Sequence, residues 1–164
     1  MKRLLVVCVA LAAAGCSSVH SNAQMADDNK ALMTKFLDRI NKHDMTVIDE
    51  VFDASYVERT GMPGLPPTRD GVKQMFGMFF KAFPDMNLKV EHLISEGDLV
   101  WVHIVSAGTN KGEMMGMPAT GKSVKIDEMH LVRVKNGKFV EHWGVEDSMG
   151  MMQQLGLMPE PAKK

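Results

Sequence analysis

The feature that most constrains this chain is a change of period at Pro84. Before that proline, apolar side chains recur at helical spacing; after it, they alternate. The residue ahead of a proline avoids helical geometry, so Pro84 closes one regime before the next begins. Upstream, Leu32, Phe36, Leu37 and Ile40 mark a helix starting near Ala26, with Asp27 and Asp28 as caps. A second, shorter helix follows, capped by Asp44, with Val47, Ile48, Val51 and Phe52 on its buried side. Tyr56 to Arg59 reads as a short strand. The segment Gly61–Pro67 must be a loop, because it holds three prolines and two glycines. Thr68-Arg69-Asp70 opens a third helix with a wide stripe that includes Val72, Phe76, Phe79 and Phe83.

Downstream of Pro84 the alternation predicts four long strands. Leu88, Val90, His92 and Ile94 lie on one face of the first, and Glu96-Gly97-Asp98 turns the chain. Leu99–Ala107 is apolar on both faces apart from His103 and Ser106. A loop rich in Gly and Met spans Gly108–Gly121, and Ser123–Val134 is the next strand. Asn136-Gly137 suits the type I′ turn that joins twisted strands, so Phe139–Val145 pairs back on it. A short helix from about Ser148 ends at Gly156. Helices followed by an antiparallel meander make an α+β domain, with helices packed on one face of a curved sheet. Such a pairing leaves a cavity between the layers, where a small molecule can bind.

The start of the chain reads as an export signal. Met1-Lys2-Arg3 is basic, and Leu4–Ala14 is an apolar run too short to span a bilayer as a helix. Ala13-Ala14-Gly15-Cys16 is similar to a bacterial lipobox, with Ala13 in place of the usual Leu. The expectation is a signal peptide over 1–15, lipid on Cys16 and a polar tether over 16–25. The folded domain then covers 26–158, with a tail over 159–164. Cleavage without lipid, for instance after Ala23, is the competing reading; it gives a soluble periplasmic protein. Either way the chain faces the periplasm. The two cysteines are Cys8 and Cys16. Removal of Cys8 and lipidation of Cys16 leave the mature domain neither a disulfide nor a cysteine-held metal. A net charge of −1 offers no electrostatic basis for nucleic-acid binding.

An ordered set of short segments carries a family resemblance. It runs from Phe83-Pro84-Asp85 through Glu96-Gly97-Asp98-Leu99-Val100, Gly108-Thr109, Gly112, Gly116, Pro118 and Thr120-Gly121-Lys122. It ends in Asn136-Gly137-Lys138, Glu141-His142-Trp143, Asp147 and Gln153-Gln154-Leu155-Gly156. In this the chain resembles SnoaL-like polyketide (ester) cyclases of the nuclear transport factor two-like superfamily. The resemblance implies a cone-shaped antiparallel sheet of four to six strands with the N-terminal helices on its concave face. It also implies a homodimer and ring closure by an intramolecular aldol reaction without cofactor or metal. The family's acid/base carboxylate corresponds to Asp147. The sequence departs from the pattern at Asn110, where relatives often have His, and at His103, where Arg is common; both bear on the substrate.

The residues themselves support several chemistries. Extended from Phe139, strict alternation puts Glu141, Trp143, Val145 and Asp147 on one face. An inward Asp147 would be a desolvated base beside Trp143; a cap on the following helix is the competing reading. His130 and Glu128 share a face and could hold a substrate oxygen, or satisfy each other in the core. His103 and Trp101 share a face and could line the pocket, or occupy plain sheet positions. His142 falls opposite Asp147 and reads as structural or interfacial. The chain has 16 methionines. Met114, Met115 and Met117 form one cluster and Met149, Met151 and Met152 another. They can fill an irregular cavity or, in an exported protein, bind reduced copper. Three functions follow: a cofactor-free cyclase or isomerase, a non-catalytic binder of an apolar molecule at the cell envelope, and copper binding.

Overall fold

A computed structural model describes residues 21–159. Its elements are α1 (Asn22–Ile40), α2 (Thr46–Val51), β1 (Phe52–Glu58), α3 (Arg69–Ala82), β2 (Asn87–Glu96), β3 (Leu99–Thr109), β4 (Ser123–Lys135), β5 (Lys138–Glu146) and α4 (Ser148–Gln154). The signal, Cys8, Cys16 and the last five residues lie outside the described part. Among the described residues no helix is long and apolar enough to cross a membrane.

The α+β order holds, and the period changes where Pro84 predicts. α1 begins at Asn22, earlier than the Asp pair suggested, because the Ser21 hydroxyl accepts from Gln24 N and caps it. Met33, Phe36, Leu37 and Ile40 then form its buried stripe. Phe52, expected on the second helix, is already in β1 yet remains buried. The five strands form one unclosed curved sheet in the order β1-β5-β4-β3-β2. β1 runs parallel to β5; every other pair is antiparallel. The β4–β5 turn uses the expected Asn136 and Gly137, both at positive φ (52° and 68°).

On β3 the residues facing the helices are Val100, Val102, Ile104 and Ser106, all buried. β3 packs on α1, α3 on β1 and α4 on β4. Phe36, Phe52 and Phe139 join the layers in edge-on contacts of 5.2–5.7 Å between ring centroids. Such a cluster adds about 0.5–1.5 kcal/mol per pair beyond area burial. All three residues also line a hollow between the layers.

Candidate functional site

The hollow measures about 640 Å³, within the size range of small-molecule sites. Its walls are mainly apolar side chains from α1, α3, the sheet and the turn after α3, Phe76, Phe79, Met75 and Met86 among them. The Met62-Pro63 loop, the Met114–Met117 loop and α4, through Met151 and Met152, line it as well.

Into this apolar space project four linked side chains. Glu58 Oε2 lies 2.7 Å from His142 Nδ1. His142 Nε2 lies 3.0 Å from His130 Nδ1, and His130 Nε2 lies 3.0 Å from Glu128 Oε2. Tyr56 Oη donates to Glu58 at 2.7 Å, and Thr60 N donates to Glu58 Oε1 at 3.0 Å. The two histidines stack, 5.1 Å between centroids. All four groups are mostly buried.

Elementary proton counting shows what this row stores. Three bonds link the four groups, and each needs one proton. Two neutral imidazoles supply two, so the intact row holds one more. Burial acts to raise the Glu58 carboxyl, but bonds from His142, Tyr56 and Thr60 outweigh it and hold Glu58 below its ordinary value. Burial, reinforced by the Glu58 charge, pushes the Tyr56 phenol well above its ordinary value. Tyr56 therefore remains a donor and Glu58 an acceptor. The Glu128 side chain bonds only His130 among the described residues, through Oε2; Oε1 is uncommitted at the cavity wall.

The sequence placed His130 and Glu128 on one face, and the structure puts both at the cavity. His142 was read on the wrong face, and a β-bulge is the reason. Val134 pairs with Phe139, but Arg133 pairs with Glu141, so Val140 is an extra residue. A bulge re-phases the alternation beyond it. Phe139 faces the cavity, and then so do His142 and Gly144. Trp143 turns outward, with the Arg133 guanidinium 5.9 Å from its ring centroid. Gly144 matters here: a Cβ on it would lie 2.8 Å from His130 Nδ1 and 3.1 Å from His142 Cε1. A side chain at this position would force one of the two rings to move.

The same re-phasing corrects the expectation that Asp147 opens into the cavity. Asp147 is exposed, and its Oδ1 accepts from Gly150 N at 2.8 Å as the cap of α4. It is not part of the cavity wall. Trp101 and His103 are corrected too. They occupy the outer face of β3, because the aliphatic Val102 and Ile104 take the inner one. His103 Nε2 instead meets Asp127 Oδ1 at 2.6 Å, and its Nδ1 lies 3.2 Å from His92 Nδ1. Of the methionines, Met114, Met115, Met117, Met151 and Met152 line the cavity, whereas Met149 is exposed. Asn110 is buried and ties its own loop, accepting from Thr120 N and donating to Gly112 O.

Glu58, Tyr56 and His142 were missed as site residues. The available signal was the Tyr56-x-Glu58 alternation in a strand beside Glu141-His142-Trp143. One further polar atom is distinctive. Ser106 Oγ is buried at the cavity wall and has no hydrogen-bond partner among the described residues. An unmade bond at a buried hydroxyl costs about 1–3 kcal/mol.

A family model described as SnoaL-like polyketide cyclase matches residues 30–155. An aklanonic acid methyl ester cyclase, DnrD of Streptomyces peucetius, is 35% identical over 69 residues. That stretch is 41% of this chain and 48% of DnrD, so the chain spans about half of that relative. The nogalonic acid methyl ester cyclase of Streptomyces nogalater is 27% identical over 111 residues, 66% of this chain and 83% of that one. Among solved structures, AclR from Streptomyces galilaeus superposes with a TM-score of 0.76 at 28% identity, covering 84% of this chain and 87% of that one.

Proposed function

This chain belongs to the SnoaL-like polyketide cyclase family, and from that premise we propose that it is a cofactor-free acid/base cyclase or isomerase acting on an apolar carbonyl compound. The observation that carries this is the row Glu58–His142–His130–Glu128, set in a cavity walled mainly by apolar side chains. Glu128 Oε1 takes a proton from the carbon next to a substrate carbonyl. The enolate carbon attacks a second carbonyl of the same molecule, forming one carbon–carbon bond. The alkoxide produced receives a proton from the row, through His130. The product is an isomer of the substrate, and the row ends with the protons it began with. Neighbouring bonds shift along His130 and His142 while Glu58 stays anionic. Relatives named for closing aklanonic and nogalonic acid methyl esters support this class of chemistry.

The proposal moves the acid/base role from Asp147 to Glu128 and keeps His130. Asp147 as a helix cap favours the second reading, a non-catalytic binder of an apolar molecule. Exchange chemistry separates the two. The full chain, incubated in deuterium oxide with acetylbiphenyl, should load deuterium into the acetyl methyl group at least ~100-fold faster than buffer. Proton NMR reads the rate. Binding of the ketone with no gain over buffer supports the binder instead.

Lipid on Cys16 and a place at the periplasmic side of the envelope belong to the same proposal, resting on the lipobox-like Ala13-Ala14-Gly15-Cys16. Such an anchor would be the chain's membrane contact. Intact-mass measurement of the mature protein tests it: a diacylated Cys16 supports the anchor, and an unmodified N-terminus refutes it. A homodimer is proposed on the outer sheet face. There Ile94, Trp101, Leu131 and Trp143 stand in register across four strands, Ile94 60% exposed among them. Trp101→Glu should convert a dimer to monomer in sedimentation; an unchanged mass refutes this face. The copper reading gains no support, since Met114 packs with Leu155 in the core and Met149 points to solvent.

A further inference from the structure

We propose that Ser106 is a second polar anchor for the ligand, so that this cavity selects molecules with a hydrogen-bonding oxygen set well apart from the reacting carbonyl. The inference rests on the reading of the cavity as a small-molecule site and goes further, by naming what the far end of that molecule must carry.

Ser106 is 7% exposed, lies on the inner face of β3 and lines the cavity. Its sheet neighbours are Leu88 on β2 and Ile126 on β4, both apolar and buried. Neither can bond to a hydroxyl. Its Oγ is the buried side-chain polar atom left without a partner among the described residues. Buried polar groups are nearly always paired, and an alanine or valine would suit these apolar neighbours better. A hydroxyl held there unpaired is complementary to something that enters from the cavity.

The sheet register fixes the geometry of that partner. Glu128 pairs with Ile104 and His130 with Val102. Ser106 therefore stands two and four residues along β3 from them, about 7 and about 13 Å at the rise of a strand. The ligand spans that interval with flat or aliphatic carbon, against Phe79, Met86 and Leu88. It ends in a hydroxyl, phenol or carbonyl oxygen. A two-ring aromatic ketone with a hydroxyl on its far ring meets these conditions, and the same ketone without the hydroxyl meets all but one.

The test uses acetylbiphenyl and its far-ring para-hydroxy derivative, titrated calorimetrically into the full chain and its Ser106→Ala variant. The full chain should bind the hydroxy ketone at least ~10-fold more tightly, as one satisfied hydrogen bond allows. Ser106→Ala should abolish that preference and leave acetylbiphenyl binding unchanged. The free Ser106→Ala protein should melt at the same temperature as the parent or higher, because no bond is lost. A preference that survives Ser106→Ala, or a clear fall in its melting temperature, overturns the anchor and leaves the cavity reading standing. Failure of both ketones to bind the full chain overturns the cavity reading and the anchor with it.

Discussion

One sheet carries two histidine pairs, one on each face, and their chemistry differs because their surroundings do. Inside the cavity, His130 and His142 lie 3.0 Å apart between Glu128 and Glu58. Outside, His92 and His103 lie 3.2 Å apart beside Asp127. Both are cross-strand pairs with carboxylate partners. The inner carboxylates are only 12% and 16% exposed at Glu58 and Glu128, whereas Asp127 is 68% exposed. Water competes for the exposed Asp127 carboxylate and screens its charge, although His103 itself is as enclosed as the inner rings. The inner row faces the cavity, and its members are bonded to one another. Residue type and spacing therefore did not make the site; the face of the sheet did.

The sharpest way to break that comparison is to remove one ring from each pair. His142→Asn interrupts the inner row and should slow deuterium loading of acetylbiphenyl ~100-fold or more, the scale of general acid/base contributions. His103→Asn should leave the rate within about twofold of the parent. Equal losses would mean that the faces are not chemically distinct.

The next effect is steric. Gly144→Ala places a Cβ 2.8 Å from His130 Nδ1 and should separate the inner rings. A stability loss of about 1–3 kcal/mol in urea unfolding is expected, as for other overpacked sites, together with slowed exchange. A fully active Gly144→Ala would show that ring contact is dispensable.

Asp147 sharpens the comparison as a carboxylate that belongs to neither pair. Asp147→Ala deletes the α4 cap and should cost about 1 kcal/mol, seen as a lower melting temperature. Exchange should stay near the parent rate. A collapse of exchange with normal stability would return the acid/base role to Asp147.

The smallest effect is a slope. Glu58 binds its proton at lower pH in the folded chain than in the unfolded one. Its contribution to stability is thus complete above the ordinary glutamate range and is lost as pH falls through the lower native value. Glu58→Gln should flatten the acid limb of stability against pH, measured by urea midpoints. An unchanged slope would mean that Glu58 gains nothing from its partners.

Much of this architecture was legible in the residues. The period change at Pro84, the Asn136-Gly137 turn and the apolar stripe of α3 located the layers, because each depends on local chemistry alone. The site was legible only where alternation ran undisturbed. Glu128 and His130 share β4 with no interruption between them, so their common face could be read. Val140 carries no signal for a bulge: it is neither Gly nor Pro, and the bulge arises from how β5 meets β4 across the sheet. Counting by twos beyond it inverted His142 and Trp143 and carried Asp147 inward. On β3 both faces are apolar, and the choice between Trp101-His103 and Val102-Ile104 for the interior was made by the helices packed above. Glu58 joins the site through β1 lying parallel beside β5, a pairing between distant segments that no local pattern announces.

Asp127 and Glu128 are adjacent in sequence and point to opposite faces, so they offer the most direct test of the account. The measurement is the rate of deuterium loading into acetylbiphenyl by the full chain, by Glu128→Gln and by Asp127→Asn, with binding of the ketone confirmed for each. The account predicts that Glu128→Gln binds but exchanges at close to the buffer rate, while Asp127→Asn matches the parent. Exchange undiminished in Glu128→Gln would contradict it.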